Sequence, residues 1–227
     1  RLQPQRVVYA EGGHPSMMKA AVQAKAEGIC FPILLGNPDR INRQAQRLKL
    51  DLSGIKIIDM RADKEQGRRA TYAKHLAEKL ARKGYTFQEA YDKMYERNYF
   101  GMMMVERGDA DAFITGLYTK YSNTIKVATE VVGVREGFHT FGTMHVVNSQ
   151  KGTYFIADTL INRHPDNNFL VDIARLSANT VEFFNEKPVM AMISYSNFGT
   201  DEIGSPLKVH EAVEELHANY PNLVVDG

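Results

Sequence analysis

Four stretches of this sequence gather hydroxyls, amides and charges directly after apolar runs. They are Glu11-Gly-Gly-His14, then residues 115–124 with Lys126 just beyond, then residues 158–162, and finally residues 194–200. Hydroxyl and amide N–H groups donate to phosphate oxygens, and a helix N-terminus adds about half a positive charge. Lys120 and Lys126 lie close to one such terminus. That chemistry suits a small anion. The same spacing also fits a solvated loop, with Ser122 only capping a helix and both lysines in water. Open α/β sheets hold ligands outside the carboxyl ends of their strands, and four polar strand ends together point to a cleft for a polar, phosphorylated or acyl-carrying molecule. Its candidate contacts are Thr119, Lys120, Ser122, Thr124 and Lys126, with Asp158 and Asn162, and Ser194, Ser196, Asn197 and Gly199.

The elements that must position these residues alternate between strand and helix signals. Strands are expected at 6–10, 33–35, 55–59, 111–115, 144–147, 153–158, 189–193 and 223–226. The run Met144-His-Val-Val and the run Thr153-Tyr-Phe-Ile-Ala-Asp read as a hairpin, and residues 189–193 read as a buried strand. Helices are expected from Ser16 to a stop at Gly28, from the Asn37-Pro38 start to about Leu50, and over 63–83. Ala73, Leu76, Ala77 and Leu80 give the last its apolar stripe. Thr86 and Glu89 form a capping box, with helices following to about Arg97 and over 99–106. A helix begun at Ser122 presents Ile125, Ala128 and Val132. Another, over 166–185, presents Leu170, Ile173, Ala174, Ser177, Val181 and Phe184, and a last one covers 205–219. Strands spaced by helices favour a largely parallel sheet covered on both faces, a three-layer α/β/α arrangement.

Composition removes several function classes. The chain has 227 residues, 44% hydrophobic and 24% charged, with net charge +1, so no overall field points to nucleic acid or an anionic membrane. Arg68-Arg69 and Arg82-Lys83 read as solvated helix faces. The single cysteine, Cys30, allows no internal disulfide; it reads as inert core in a reducing, cytoplasmic compartment. No apolar run is long enough to span a membrane. No Gly-x-Gly-x-x-Gly follows a strand, and there is neither a P-loop nor a nucleophile elbow. His210 and His217 lie two turns apart and read as helix polarity, with no metal site expected. The opening RLQPQ and the closing LVVDG read as cut ends of a longer protein.

Six segments in order resemble the phosphotransacetylases: RVVYAEGGHPSMMKAA, NYFGMMMVERGDADAFITG, SNTIK, FIADTLIN, AMISYSNFG and LVVDG. The variants SNFG and GTYFIADTLIN look like the phosphotransacetylase-like domain at the C-terminus of large bacterial NADP-dependent malic enzymes. The resemblance implies a two-domain fold like that of isocitrate-type dehydrogenases, with domains at 1–141 and 142–227, the second lacking its C-terminal part, and a cleft between them. It implies acetyl-CoA as a regulatory ligand and association into at least a homodimer. NADP and Mg or Mn would belong to an upstream malic enzyme part. An active phosphate acetyltransferase and a structural oligomerisation module are the alternatives. In the resemblance, Lys126 stands where the acetyltransferases hold phosphate with Arg, Tyr121 adds bulk where they have Thr, and Arg82 is matched with a second phosphate-binding Arg. The family's Asn-Asp-Leu-Ser-Arg-Gly motif would lie beyond Gly227.

Overall fold

The computed structural model describes residues 3–196 and 200–227. The chain divides into two compact units, Arg1–Gly133 and Val134–Gly227.

The first unit is built on four parallel strands: β1 (Gln5–Tyr9), β2 (Cys30–Leu35), β3 (Lys56–Ile58) and β4 (Ala112–Ile114), in the order β3-β2-β1-β4. Parallel pairing needs a crossover between strands, and helices supply it: α1 (Pro15–Ala26), α2 (Pro38–Leu48), α3 (Gln66–Lys79), α4 (Phe87–Lys93) and α5 (Arg97–Glu106), with α6 (Tyr121–Val131) after β4. Successive strand residues point to opposite faces. Val8, Ile33, Leu35 and Ile58 therefore enter one apolar cluster with Tyr72, Leu76, Phe100 and Val131. Tyr9, Leu34 and Cys30 enter another with Met18, Ala21 and Ile41. Two cores on two faces make the three-layer α/β/α arrangement expected from the strand–helix alternation.

Local chemistry sets the element ends. The Asn37 side chain accepts from Arg40 N, with Pro38 in the first turn of α2. Thr86 and Glu89 complete the capping box at α4. The long helix expected over 63–83 is divided: a 3-10 turn (Asp63–Glu65), α3, and a second 3-10 turn (Ala81–Lys83) ending at Gly84 with φ +79. Gly101 lets α5 approach the sheet closely, since a Cβ there would stand 2.2 Å from Phe113 Cε2.

Three further expectations are corrected in this unit. Arg69 is no solvated residue: it is 3% exposed and donates from Nη1 to the Met60 and Ala62 carbonyls at 2.6 and 2.8 Å. Its guanidinium lies 4.6 Å from the Tyr95 ring centroid, which satisfies a buried cation on its flat face as well as its edge. Helix α6 buries Val127, Glu130 and Val131, while Val132 is exposed; a buried acid broke the apolar stripe. Ser122 is the second residue of α6, and Lys120 occupies the cap position with no side-chain cap.

The second unit holds an antiparallel hairpin, β5 (Met144–Ser149) with β6 (Gly152–Ala157), and a parallel pair, β7 (Val189–Ala191) with β8 (Val224–Asp226). Helices α7 (Asn167–Phe183) and α8 (Gly204–Asn219) pack through Val171, Ala174, Ala212 and Leu216 onto Val225. Phe184 is half exposed, and α7 turns the buried Asp172 inward instead. Asp172 accepts from His139 N at 2.8 Å and lies 3.3 Å from Arg175 Nη1. The 189–193 strand is not buried. Val189 is 72% and Ile193 87% exposed, and among the described residues β7 is paired on one side only, by β8.

Candidate functional site

A cleft of about 1000 Å³ opens in the first unit, at the carboxyl ends of all four parallel strands. Its floor is the turn after β1, Ala10-Glu11-Gly12-Gly13-His14, beside Leu35 and Gly36 at the end of β2. Gly12 sits here for a steric reason. Its N–H donates to Leu35 O at 3.2 Å, and a Cβ would stand 2.7 Å from that same oxygen and 2.9 Å from Leu35 N. Any side chain would push two strand ends apart. Helices α1, α2, α5 and α6 all begin at or beside the cleft, so their partial positive charges add there.

Two strand ends that the sequence singled out meet at this place. Glu11, 2% exposed, accepts from Thr115 Oγ1 at 3.1 Å and from Gly116 N at 3.3 Å. Thr115 also lies 2.9 Å from Asn98 Oδ1, and its one hydroxyl proton serves either acceptor. Glu11 thus ties the end of β1 to the end of β4 and fixes the segment that leads through Tyr118 and Thr119 into α6.

The wall carries five permanent cations, Arg40, Arg61, Lys93, Arg97 and Lys126, against three carboxylates, Glu11, Asp59 and Glu96. Among the described residues, only Lys126 of these five has a carboxylate within ion-pair distance, Glu130 at 3.9 Å. Asp59 is occupied locally by Arg61 N at 3.0 Å and Asn37 Nδ2 at 3.4 Å. Arg97 lies 5.8 Å from the Tyr118 ring centroid, and His14 meets the same ring edge-on at 5.4 Å. Unpaired cations beside helix N-termini, as Arg40 is in the first turn of α2 and Arg97 in that of α5, can bind and orient phosphate or carboxylate groups.

Of the residues chosen from sequence, Thr119 and Lys126 line this cleft. Lys120, Ser122 and Thr124 do not, and Ser122 is exposed on α6. Arg82 is exposed on the 3-10 turn after α3 and is no part of the cleft wall. Arg40, Arg61, Lys93 and Arg97 were missed. Arg40 and Arg61 follow strands at the place where ligands gather, and that offset was the available signal. In the second unit, Asp158 lines a groove of about 790 Å³ together with apolar residues of β6, α7 and β7. It takes a left-handed φ of 55 and accepts from Asn162 Nδ2 at 3.0 Å. Ser194 and Ser196 bond to each other in a local turn, and Ser196 Oγ lies 2.6 Å from Thr200 Oγ1. Asn197 and Gly199 lie outside the described residues. His217 is engaged by Val225 O at 2.8 Å and His210 by Glu214 at 3.4 Å, each separately.

The α/β/α unit around a parallel sheet is consistent with the phosphotransacetylase fold. The chain belongs to the phosphate acetyl/butaryl transferase family, whose model matches residues 1–227. It is 32% identical over 228 residues to the NADP-dependent malic enzyme of Escherichia coli (strain K12), a match covering 100% of this chain and 30% of that protein. It is 30% identical over 222 residues to the phosphate acetyltransferase of Bacillus subtilis (strain 168), covering 98% of this chain and 68% of that protein. A solved phosphotransacetylase from Streptococcus pyogenes superposes with a TM-score of 0.86 at 26% identity, over 100% of this chain and 68% of that one. The chain therefore spans under a third of the malic enzyme's length.

Proposed function

We propose that this chain is the phosphotransacetylase-like part of a cytoplasmic NADP-dependent malic enzyme, which as a whole decarboxylates malate oxidatively to pyruvate, and that it takes acetyl-CoA as a regulatory ligand. The observation that carries the ligand assignment is the first-unit cleft, with four cations free of carboxylate partners among the described residues at the ends of parallel strands. Acetyl-CoA presents several phosphate oxygens to such a surface. The position that the resemblance matches to a phosphate-holding Arg is Lys126, whose single ammonium cannot make a planar two-point contact. That favours holding the ligand over turning it over. In this reading NADP and Mg or Mn belong to the malic enzyme part, and the protein works as a homo-oligomer, at least a dimer.

Inhibition requires acetyl-CoA to bind one state of the enzyme more tightly than another. The test uses the full-length protein. Malate oxidation is followed while acetyl-CoA is titrated, in wild type and in Lys126→Ala. We expect inhibition in wild type and its loss or marked weakening in the variant. Full inhibition in the variant removes Lys126 from the effector site.

A second reading, an active phosphate acetyltransferase, is favoured by the Bacillus subtilis relative, two thirds of which this chain covers. Acetyl phosphate formation from acetyl-CoA and phosphate separates the two: turnover well above background promotes the second. A folded protein with neither turnover nor acetyl-CoA binding leaves only a structural module.

A further inference from the structure

We propose that Glu130, buried behind the cleft wall, is a positioning residue that sets the cleft's anion affinity by sharing the charge of Lys126. This rests on the reading that the cleft holds an anion. Glu130 is 7% exposed and does not line the cleft, whereas Lys126, Lys93 and Tyr99 do. Its Oε2 accepts from the Tyr99 hydroxyl at 2.5 Å and its Oε1 from the Tyr85 hydroxyl at 3.3 Å. The Lys126 ammonium lies 3.9 Å from the same Oε1. Lys93 Nζ rests on the rings of those two tyrosines, 4.6 Å from the Tyr99 centroid and 5.6 Å from that of Tyr85. One buried carboxylate thus anchors, directly or through tyrosine rings, two of the five cleft cations.

The tyrosines remain donors at working pH. Burial first, and then the hydrogen bond to Glu130, pushes the Tyr99 hydroxyl well above the ordinary tyrosine range; burial and the Glu130 charge raise Tyr85 in the same direction. The two hydroxyls satisfy Glu130 without neutralising it, so its charge continues to act on Lys126. At 3.9 Å that pair is loose, and the Lys126 side chain is 65% exposed. An anion entering the cleft competes with Glu130 for one ammonium. Damage to the fold would weaken anion binding; removing a competing charge strengthens it. The sign of the effect therefore separates the proposed role from a structural one.

The experiment titrates the full-length protein with two probes, acetyl-CoA and inorganic pyrophosphate, in wild type, Glu130→Gln, Lys126→Ala and the double variant. An amide keeps an acceptor for Tyr99 and removes the charge. We expect Glu130→Gln to tighten binding several-fold, and to have no effect once Lys126 is Ala, because coupled residues are not additive. Unchanged or weaker binding in Glu130→Gln, or equal tightening with Lys126 absent, overturns the inference. If Glu130→Gln does not fold, Tyr85→Phe serves. It removes the second partner of Oε1 and keeps the ring under Lys93, so Lys126 is drawn toward Glu130 and binding weakens. Unchanged or tighter binding there overturns the inference as well. If pyrophosphate responds as expected and acetyl-CoA does not bind, the acetyl-CoA reading falls and the role of Glu130 stands. If neither probe binds, both fall.

Discussion

At the scale of single residues, what a charge contributes to the fold is decided by its partners. Arg6 and Asp111 join the start of β1 to the start of β4: the carboxylate takes the Arg6 backbone N–H at 2.7 Å, and its guanidinium at 3.0 and 2.7 Å. The side-chain hydrogen bond first, and then the backbone one, lowers the Asp111 pKa from 3.8 to about 2. The folded pKa lies below the unfolded one, so the pair stabilises the protein above pH 3.8 and that contribution fades as the pH falls toward 2. Asp111→Asn should therefore be less stable than wild type near neutrality, with the difference closing through that window, as read by urea midpoints at a series of pH values. The pair is exposed to solvent, so the difference should be small and should shrink with salt. Inside the protein the same residue types behave differently. Arg69 and Glu130 sit among aromatic rings and carbonyls, where an unmet charge is costly: Arg69 Nη1 donates to two carbonyls, although its buried Nε finds no acceptor among the described residues, and Glu130 accepts from two tyrosine hydroxyls.

At the scale of elements, Gly101 lets α5 lie close against β4. Gly101→Ala would drive a methyl group into the Phe113 ring and toward Leu35 Cδ1, 3.2 Å away. Overpacking of this kind costs about 1–3 kcal/mol, read as a lower denaturant midpoint with unchanged slope. The consequence reaches the cleft, because α5 carries Arg97, Asn98 and Tyr99 into its wall. Element identity was legible from periodicity and caps: the strands of the parallel sheet, the capping box at Thr86 and the Asn37-Pro38 start all lie where local chemistry puts them. The 63–83 helix and the α6 stripe were misread for the same reason. Periodicity reports apolar spacing, and it does not report a 3-10 turn or an acid buried against tyrosines.

At the scale of the whole molecule, each unit has its own core, and the two differ in depth. β1 and β2 are paired on both sides within a sheet covered on both faces. The β5–β6 hairpin is two-stranded, with Val146, Val147, Tyr154 and Ile156 exposed. A two-stranded element with so much of its surface exposed is marginal in water, and local stability follows burial. Hydrogen exchange should therefore be slowest in β1, β2, α3 and α5 and fastest in β5 and β6. Equal protection of the hairpin and β1 would contradict this ranking.

The sequence by itself determined the alternation of strand and helix, the three-layer class, the family through six ordered segments, and the presence of polar strand ends. These follow from local rules: side-chain period, capping hydrogen bonds and glycine stops act within a few residues. Only the tertiary structure decided which strand ends share a cleft. It tied Glu11 to Thr115, brought residues 10–14 to one cleft with Tyr118 and Thr119, added Arg40, Arg61, Lys93 and Arg97, and left Arg82 and Ser122 outside. Strand order 3-2-1-4 is set by pairing between residues far apart in the chain, and the electrostatics of the cleft depend on which helices that order places side by side.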